Sequence, residues 1–138
     1  MYVLDTNVIS ELRRPERADA NVLSWANTVP LAQFYLSAIT ILEIEQGALL
    51  IKRRDAKQGE QLRRWIDEQI LRTFDGRILA INTAVAQRCA QLHVPDPQSE
   101  RDALIAATAL VHGMTVVTRN TSDFETTGVK LLDPWKPV

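Results

Sequence analysis

Short apolar runs alternate with helix-patterned stretches along the whole of this chain, and that alternation constrains its fold more than any other feature. Strands are predicted near residues 2 to 5, from Phe34 to Ser37, from Ile78 to Ile81, from Thr115 to Thr118 and from Val129 to Leu132. Between them the apolar residues change to helical spacing. Helices are expected near 7 to 14, halted before Pro15, near 18 to 28, from about Thr40 to Leu50, through Leu62, Trp65, Ile66 and Ile70, near 83 to 92, and from Asp102 to His112, closed by Gly113. Strands regularly separated by helices cannot pair as hairpins, so the pattern predicts an α/β fold with a central, mainly parallel sheet. No repeat, low-complexity tract or Gly/Ser linker interrupts it, and the kinked Val94-Pro95-Asp96-Pro97 loop is its sharpest break. A single domain over 1–138 follows as the expectation.

Composition narrows the class. With 46% hydrophobic and 24% charged residues the chain reads as an ordinary globular protein, and no stretch reaches the roughly 20 apolar residues of a membrane span. No signal peptide is visible and the single Cys89 has no disulfide partner in the chain, so a reducing, cytoplasmic setting is expected, with Cys89 in the core beside Val85 and Leu92. The net charge of −1 does not mark a nucleic-acid partner. Only the stretch from Lys52 to Arg72, with seven basic residues against four acidic ones, carries a local surplus.

The chemistry concentrates in four acids. Asp5 ends the first strand, Glu43 follows the second within about a turn, Asp102 heads a helix that is apolar nearly all round, and Asp123 follows the strand ending at Thr118. Each has a structural explanation when taken alone. Thr40-Ile41-Leu42-Glu43 matches a capping box; Asp102 in a first helical turn gains from the helix dipole; Asp123 in Asn120-Thr121-Ser122-Asp123 suits an Asx-type turn. Together they fall where the strands of an open α/β sheet end, the edge at which such sheets bind ligands. Carboxylates gathered there repel, so one must take up a proton or a cation must neutralise them. With Thr6, Asn7, Thr118 and Asn120 nearby as supporting groups, the donor set is hard and all-oxygen, which favours Mg²⁺, with Mn²⁺ as a substitute, over zinc.

Four ordered segments then carry a family resemblance: Tyr2-Val3-Leu4-Asp5-Thr6-Asn7-Val8-Ile9-Ser10-Glu11-Leu12, Leu36-Ser37-Ala38-Ile39-Thr40-Ile41-Leu42-Glu43, Asp102-Ala103-Leu104-Ile105-Ala106-Ala107-Thr108-Ala109 and Val117-Thr118-Arg119-Asn120-Thr121-Ser122-Asp123-Phe124. The chain resembles PIN-domain proteins of the VapC toxin type, and within them the FitB-like branch, over essentially its whole length. The resemblance implies a three-layer α/β/α domain and a metal-dependent ribonuclease site built from Asp5, Glu43, Asp102 and Asp123. It also implies a type II toxin–antitoxin setting, with a small antitoxin that covers the site and binds operator DNA, and a homodimer. The stretch from His93 to Arg101 departs from the family pattern: relatives often have a longer helical arm there, whereas this one is short and holds two prolines. Glu45 lies two residues beyond Glu43 and points about 200° away on a helix, so only one of them can face the site; motif position favours Glu43.

The expected reaction is hydrolysis of an RNA phosphodiester by metal-activated water, with Asp5 and Asp102 the most direct ligands and Glu43 and Asp123 completing the cluster. Arg13, Arg14 and Arg119 are expected to contact RNA phosphates. Two rival readings remain at this stage. One is a phosphatase or receiver-type protein with Asp5 as nucleophile, which the absence of a nearby lysine disfavours. The other is a toxin-fold protein that serves chiefly as partner of a DNA-binding antitoxin, with little nuclease activity.

Overall fold

Leu4 and Val3 are both essentially inaccessible to solvent, yet they pack into different cores, because successive strand residues point to opposite faces. Val117 and Val116 on the neighbouring strand divide in the same way. This is why the strand runs are continuously apolar: both faces of the sheet are covered. The computed structural model describes residues 1–137, and its sheet has five parallel strands: β1 (Tyr2–Leu4), β2 (Phe34–Ser37), β3 (Ile78–Leu79), β4 (Thr115–Val117) and β5 (Leu131–Leu132). Their order is β3-β2-β1-β4-β5, with Val3 opposite Tyr35 on one side and Val116 on the other. The chain leaves β1 in one direction to build β2 and β3, then crosses back to place β4 on the opposite flank. The crevice beyond the ends of β1 and β4 is therefore the point at which the topology reverses and ligands bind in such folds.

Helices α1 (Thr6–Leu12), α2 (Ala20–Thr28), α3 (Ala38–Arg54), α4 (Ala56–Trp65), α5 (Leu71–Thr73), α6 (Thr83–Leu92) and α7 (Glu100–His112) complete three layers. On one face Leu4, Val8, Trp25, Leu36, Ile44 and Ile66 form the largest core. On the other, α7 lays Ile105, Ala106 and Ala109 against Val3 and Val116. Its alanines let it lie close to the sheet, and Ala103 and Ala107 on a further face receive Val85 and Cys89 of α6. Burying a side chain such as Ile105 contributes about 1.5–3 kcal/mol. The core position expected of Cys89 is what the fold shows.

Several boundaries differ from the sequence reading for local reasons. Helix α3 starts at Ala38, with Ser37 as its N-cap accepting a hydrogen bond from the Ile39 amide at 3.1 Å. The capping box expected at Thr40-Ile41-Leu42-Glu43 is not formed: Thr40 is already inside the helix and fully buried, and the Glu43 carboxylate turns elsewhere. The amphipathic stretch through Leu62 and Ile70 is not one regular helix but α4 followed by a wide π-type turn at Ile66–Ile70. Helix α7 begins two residues before Asp102 and ends at Gly113 in the left-handed region, as its C-terminal glycine predicts. The last strand, Leu131–Leu132, is shorter than 129 to 132 and follows a turn at Gly128 with φ +75°.

Candidate active site

Asp5 is 7% exposed, and the reason lies in its position: β1 has ended, its own amide still donates to the Val117 carbonyl at 2.9 Å, and its side chain caps α1. Oδ1 accepts from the Thr6 amide at 2.8 Å. Oδ2 accepts from the Thr118 hydroxyl at 2.8 Å and from Asn7 Nδ2 at 3.3 Å. The carboxylate is thus fixed by both strands that flank the crevice.

Thr118 is the hub of this arrangement. Fully buried just past β4, its Oγ1 donates to Asp5 and accepts from Asn7 Nδ2 at 3.3 Å and from the Asn120 amide at 3.0 Å. Asn7 Oδ1 in turn accepts from the Arg119 amide at 3.3 Å, tying α1 to the loop after β4. Of the four expected supporting residues, Thr6, Asn7 and Thr118 contribute side chains, and Asn120 contributes its backbone.

Glu43 reaches the same place from α3. Its Oε1 accepts from the Thr6 hydroxyl at 2.8 Å, and Oε2 lies 3.7 Å from Arg101 Nη1. Glu45 points away and pairs with Arg63 through both carboxylate oxygens, as the 200° separation requires. Asp102 lies in the first turn of α7 and Asp123 in a short 3-10 turn, Thr121–Asp123, past β4. Asp123 is exposed and Asp102 half-buried.

The electrostatics show that the four acids share one locality. Burial raises the Asp5 carboxyl above its ordinary value; the Thr118 and Thr6 hydrogen bonds oppose the rise, while the charges of Glu43 and Asp123 add to it. Asp102 is raised by burial first and then by Asp5, Asp123 and Glu43 together. Among the described residues, no salt bridge reaches Asp5, Asp102 or Asp123. An under-neutralised, all-oxygen set fits a hard divalent cation. Among the described residues no three acidic, histidine or cysteine side chains stand close enough together to hold a metal ion as they are placed.

Among the described residues none of the three expected phosphate contacts forms a salt bridge with the acids. Arg13 ends α1, about 10 Å along the helix from Thr6 at 1.5 Å per residue, and its guanidinium lies 5.8 Å from the Trp65 ring. With Arg14 and Arg64 it lines a cavity of about 270 Å³. Arg119 has its guanidinium 5.2 Å from the Trp135 ring. The residue that sequence reasoning missed is Arg101, which touches Glu43 and donates to Gln46 Oε1 at 2.8 Å. Glu43 and Gln46, spaced i, i+3 on α3, share the side that Arg101 meets, but only the packing of α7 against α3 brings them together.

Comparison with known proteins places these observations among relatives. The family model described as PIN domain matches residues 2–130. The VapC ribonuclease Y4jK of Sinorhizobium fredii is 37% identical over 145 residues, covering 99% of this chain and 99% of the relative. Toxin FitB of Neisseria gonorrhoeae is 37% identical over 140 residues, covering 98% and 99%. A solved structure of FitAB bound to an IR36 DNA fragment superposes with a TM-score of 0.90 at 37% identity, covering 100% of this chain and 98% of the matched one.

Proposed function

The chain belongs to the PIN-domain family, among its VapC- and FitB-type members, and from that membership we propose that it is a metal-dependent endoribonuclease acting as the toxin of a toxin–antitoxin pair. What supports the reading is the buried Asp5 carboxylate, held by the Thr6 amide and the Thr118 hydroxyl at the ends of β1 and β4 and close enough to Glu43, Asp102 and Asp123 for their charges to act on one another.

Hydrolysis forms a bond from the oxygen of water to phosphorus and breaks one P–O ester bond; the leaving ribose oxygen gains a proton and the water loses one. Asp5 and Asp102 would hold a Mg²⁺ ion most directly, with Mn²⁺ as a substitute, and Glu43 and Asp123 would complete its surroundings. Such an ion, when bound, lowers the pKa of water and offsets charge developing on the phosphate. The chain's own share is orientation. Thr6 holds Glu43 and the Asp5 cap in one step, through its hydroxyl and its amide. Thr118 and Asn7 hold the second Asp5 oxygen. A phosphatase-type role for Asp5 fits poorly, since among the described residues no lysine pairs with Asp5.

The same reading assigns a small antitoxin as partner, and similarity to a FitAB structure with DNA supports a complex that engages an operator. An apolar cavity of about 280 Å³ between α1, α2 and the π-type turn, lined by Leu12, Ala26, Leu31, Trp65 and Phe74, suits a partner segment. No described helix is long and apolar enough to cross a membrane. A homodimer in the cytoplasm completes the proposal.

The test is cleavage of total small RNA by the purified chain and by Asp5→Asn, each with Mg²⁺, with Mn²⁺ and with EDTA. Cleavage confined to the wild-type chain with metal is expected; metal-independent cleavage, or undiminished cleavage by Asp5→Asn, overturns the assignment.

A further inference from the structure

Arg101 is the cation in contact with the acid cluster among the described residues, and most of its donors are uncommitted. It stands in the first turn of α7, one residue before Asp102, and reaches across to α3. There Nη2 donates to Gln46 Oε1 at 2.8 Å, a neutral acceptor that fixes the guanidinium without using its charge. The contact from Nη1 to Glu43 Oε2, at 3.7 Å, is an ion pair too long for a hydrogen bond. A guanidinium has five N–H donors in a planar fork shaped for carboxylate or phosphate, and this one is 46% exposed at the mouth of the site. Of the arginines expected to meet phosphate, Arg13 lies against Trp65 and Arg119 against Trp135.

We propose that Arg101 is the residue that binds the RNA phosphodiester at the acid cluster, and that its pairing with Glu43 is the resting arrangement of a group whose second role is to meet the substrate phosphate. The inference rests on the ribonuclease reading. In the free chain the guanidinium offsets part of the acids' mutual repulsion. When a divalent cation neutralises Glu43, attraction between Arg101 and that carboxylate falls, and the fork, still tethered by Gln46, is available to the phosphate. A strut holding α7 to α3 would explain the same hydrogen bond but makes the opposite prediction for metal binding. Removing a competing cation tightens a cation site, whereas removing a strut loosens it.

The experiment uses the full chain, Arg101→Gln, Arg101→Lys, and Arg88→Gln as a control for the same charge change on α6, where Arg88 donates to Gln91 Oε1 at 2.7 Å. Mn²⁺ binding is measured by calorimetry, and binding of a short 2′-O-methyl oligoribonucleotide to the Mn²⁺-loaded proteins by fluorescence anisotropy. Arg101→Gln is expected to bind Mn²⁺ at least about fivefold more tightly, the size of the repulsion lost when a unit charge about 8 Å from a divalent ion is removed in water. It is expected to bind the oligonucleotide at least about tenfold more weakly, the loss of a charge-assisted hydrogen bond. Lysine should restore part of the binding, and Arg88→Gln should match wild type in both. Equal oligonucleotide binding by wild type and Arg101→Gln, or weaker Mn²⁺ binding with a lowered melting temperature, overturns the proposal. Absence of RNA cleavage by a wild type that binds the oligonucleotide through Arg101 overturns the ribonuclease reading alone.

Discussion

The hydroxyl of Thr6 donates a 2.8 Å hydrogen bond to Glu43 Oε1, joining the first turn of α1 to α3 across 37 residues of sequence. Since the Thr6 amide also donates to Asp5, one residue sets the spacing of two of the four acids.

This geometry separates the two glutamates of α3. Glu43→Gln should lower RNA cleavage by about 10²–10³-fold, the usual loss when one electrostatic group of a catalytic site is removed. Glu45→Gln should leave cleavage within a factor of about two. Its carboxylate pairs with Arg63, and both side chains are about a third or more exposed, so its loss costs only about 0.2–1 kcal/mol of stability. Single-turnover cleavage and urea denaturation of the two variants check both statements; equal losses of activity would refute the assignment of Glu43.

Replacing Thr118 by valine keeps the volume and removes the donor to Asp5 Oδ2. Thr118 is fully buried and also accepts from Asn7 and the Asn120 amide, so the variant leaves several polar groups without a partner. Destabilisation of about 1–3 kcal/mol is expected, together with a fall in kcat greater than any rise in KM, because a misplaced Asp5 affects turnover more than capture. Cleavage kinetics on RNA, with thermal melting alongside, provide the measurement.

What could be read from the chain and what could not divides along physical lines. Strand residues Val3, Leu4, Val116 and Val117 are buried on both faces, so their continuous apolar runs announced a parallel sheet, and the acids following those runs were legible because the ends of parallel strands lie on one edge. The capping box at Thr40 failed because Ser37, three residues earlier, takes the N-cap while Glu43 has a stronger partner in Thr6. Arg101 was illegible because its meaning depends on a contact between α3 and α7 that sequence spacing alone does not specify. The π-type turn at Ile66–Ile70 has no local signature.

The raised Asp5 and Asp102 carboxyls carry a pH prediction for the metal-free protein. A carboxyl whose folded value exceeds its ordinary 3.8 binds protons more readily in the folded state, so it favours folding at acid pH and loses that contribution as pH rises through the folded value. Glu45, lowered chiefly by its hydrogen bond to Arg63, acts in the opposite sense below its ordinary value of 4.5. In EDTA, melting temperature should therefore fall as pH increases above the mid-fours toward neutrality. Mg²⁺ should raise it more as pH increases and Asp5 and Asp102 lose their protons, and Asp5→Asn should flatten the profile. A metal-free melting temperature that climbs steadily to neutral pH would contradict this.

Gly59 tests the frame that carries Glu43. Helices α3 and α4 pack so closely that a Cβ at Gly59 would stand 2.5 Å from Lys52 Cβ and 2.6 Å from its Cα. The nearest atoms belong to backbone and to the root of a side chain, so they cannot swing aside, and the two helices must part. Gly59→Ala would gain helix propensity of about 1 kcal/mol in a free helix, but the clash should outweigh it and destabilise the protein by about 1–3 kcal/mol. Movement of α3 would be transmitted to Glu43 and to Gln46, which tethers Arg101. The variant should thus lose Mn²⁺ affinity as well as stability, although it lies far along the hairpin from the acids. Denaturant unfolding and calorimetric Mn²⁺ titration of Gly59→Ala decide the matter: unchanged metal affinity in a clearly destabilised variant would mean that the position of Glu43 is set by Thr6 and the sheet edge, independently of the α3/α4 packing.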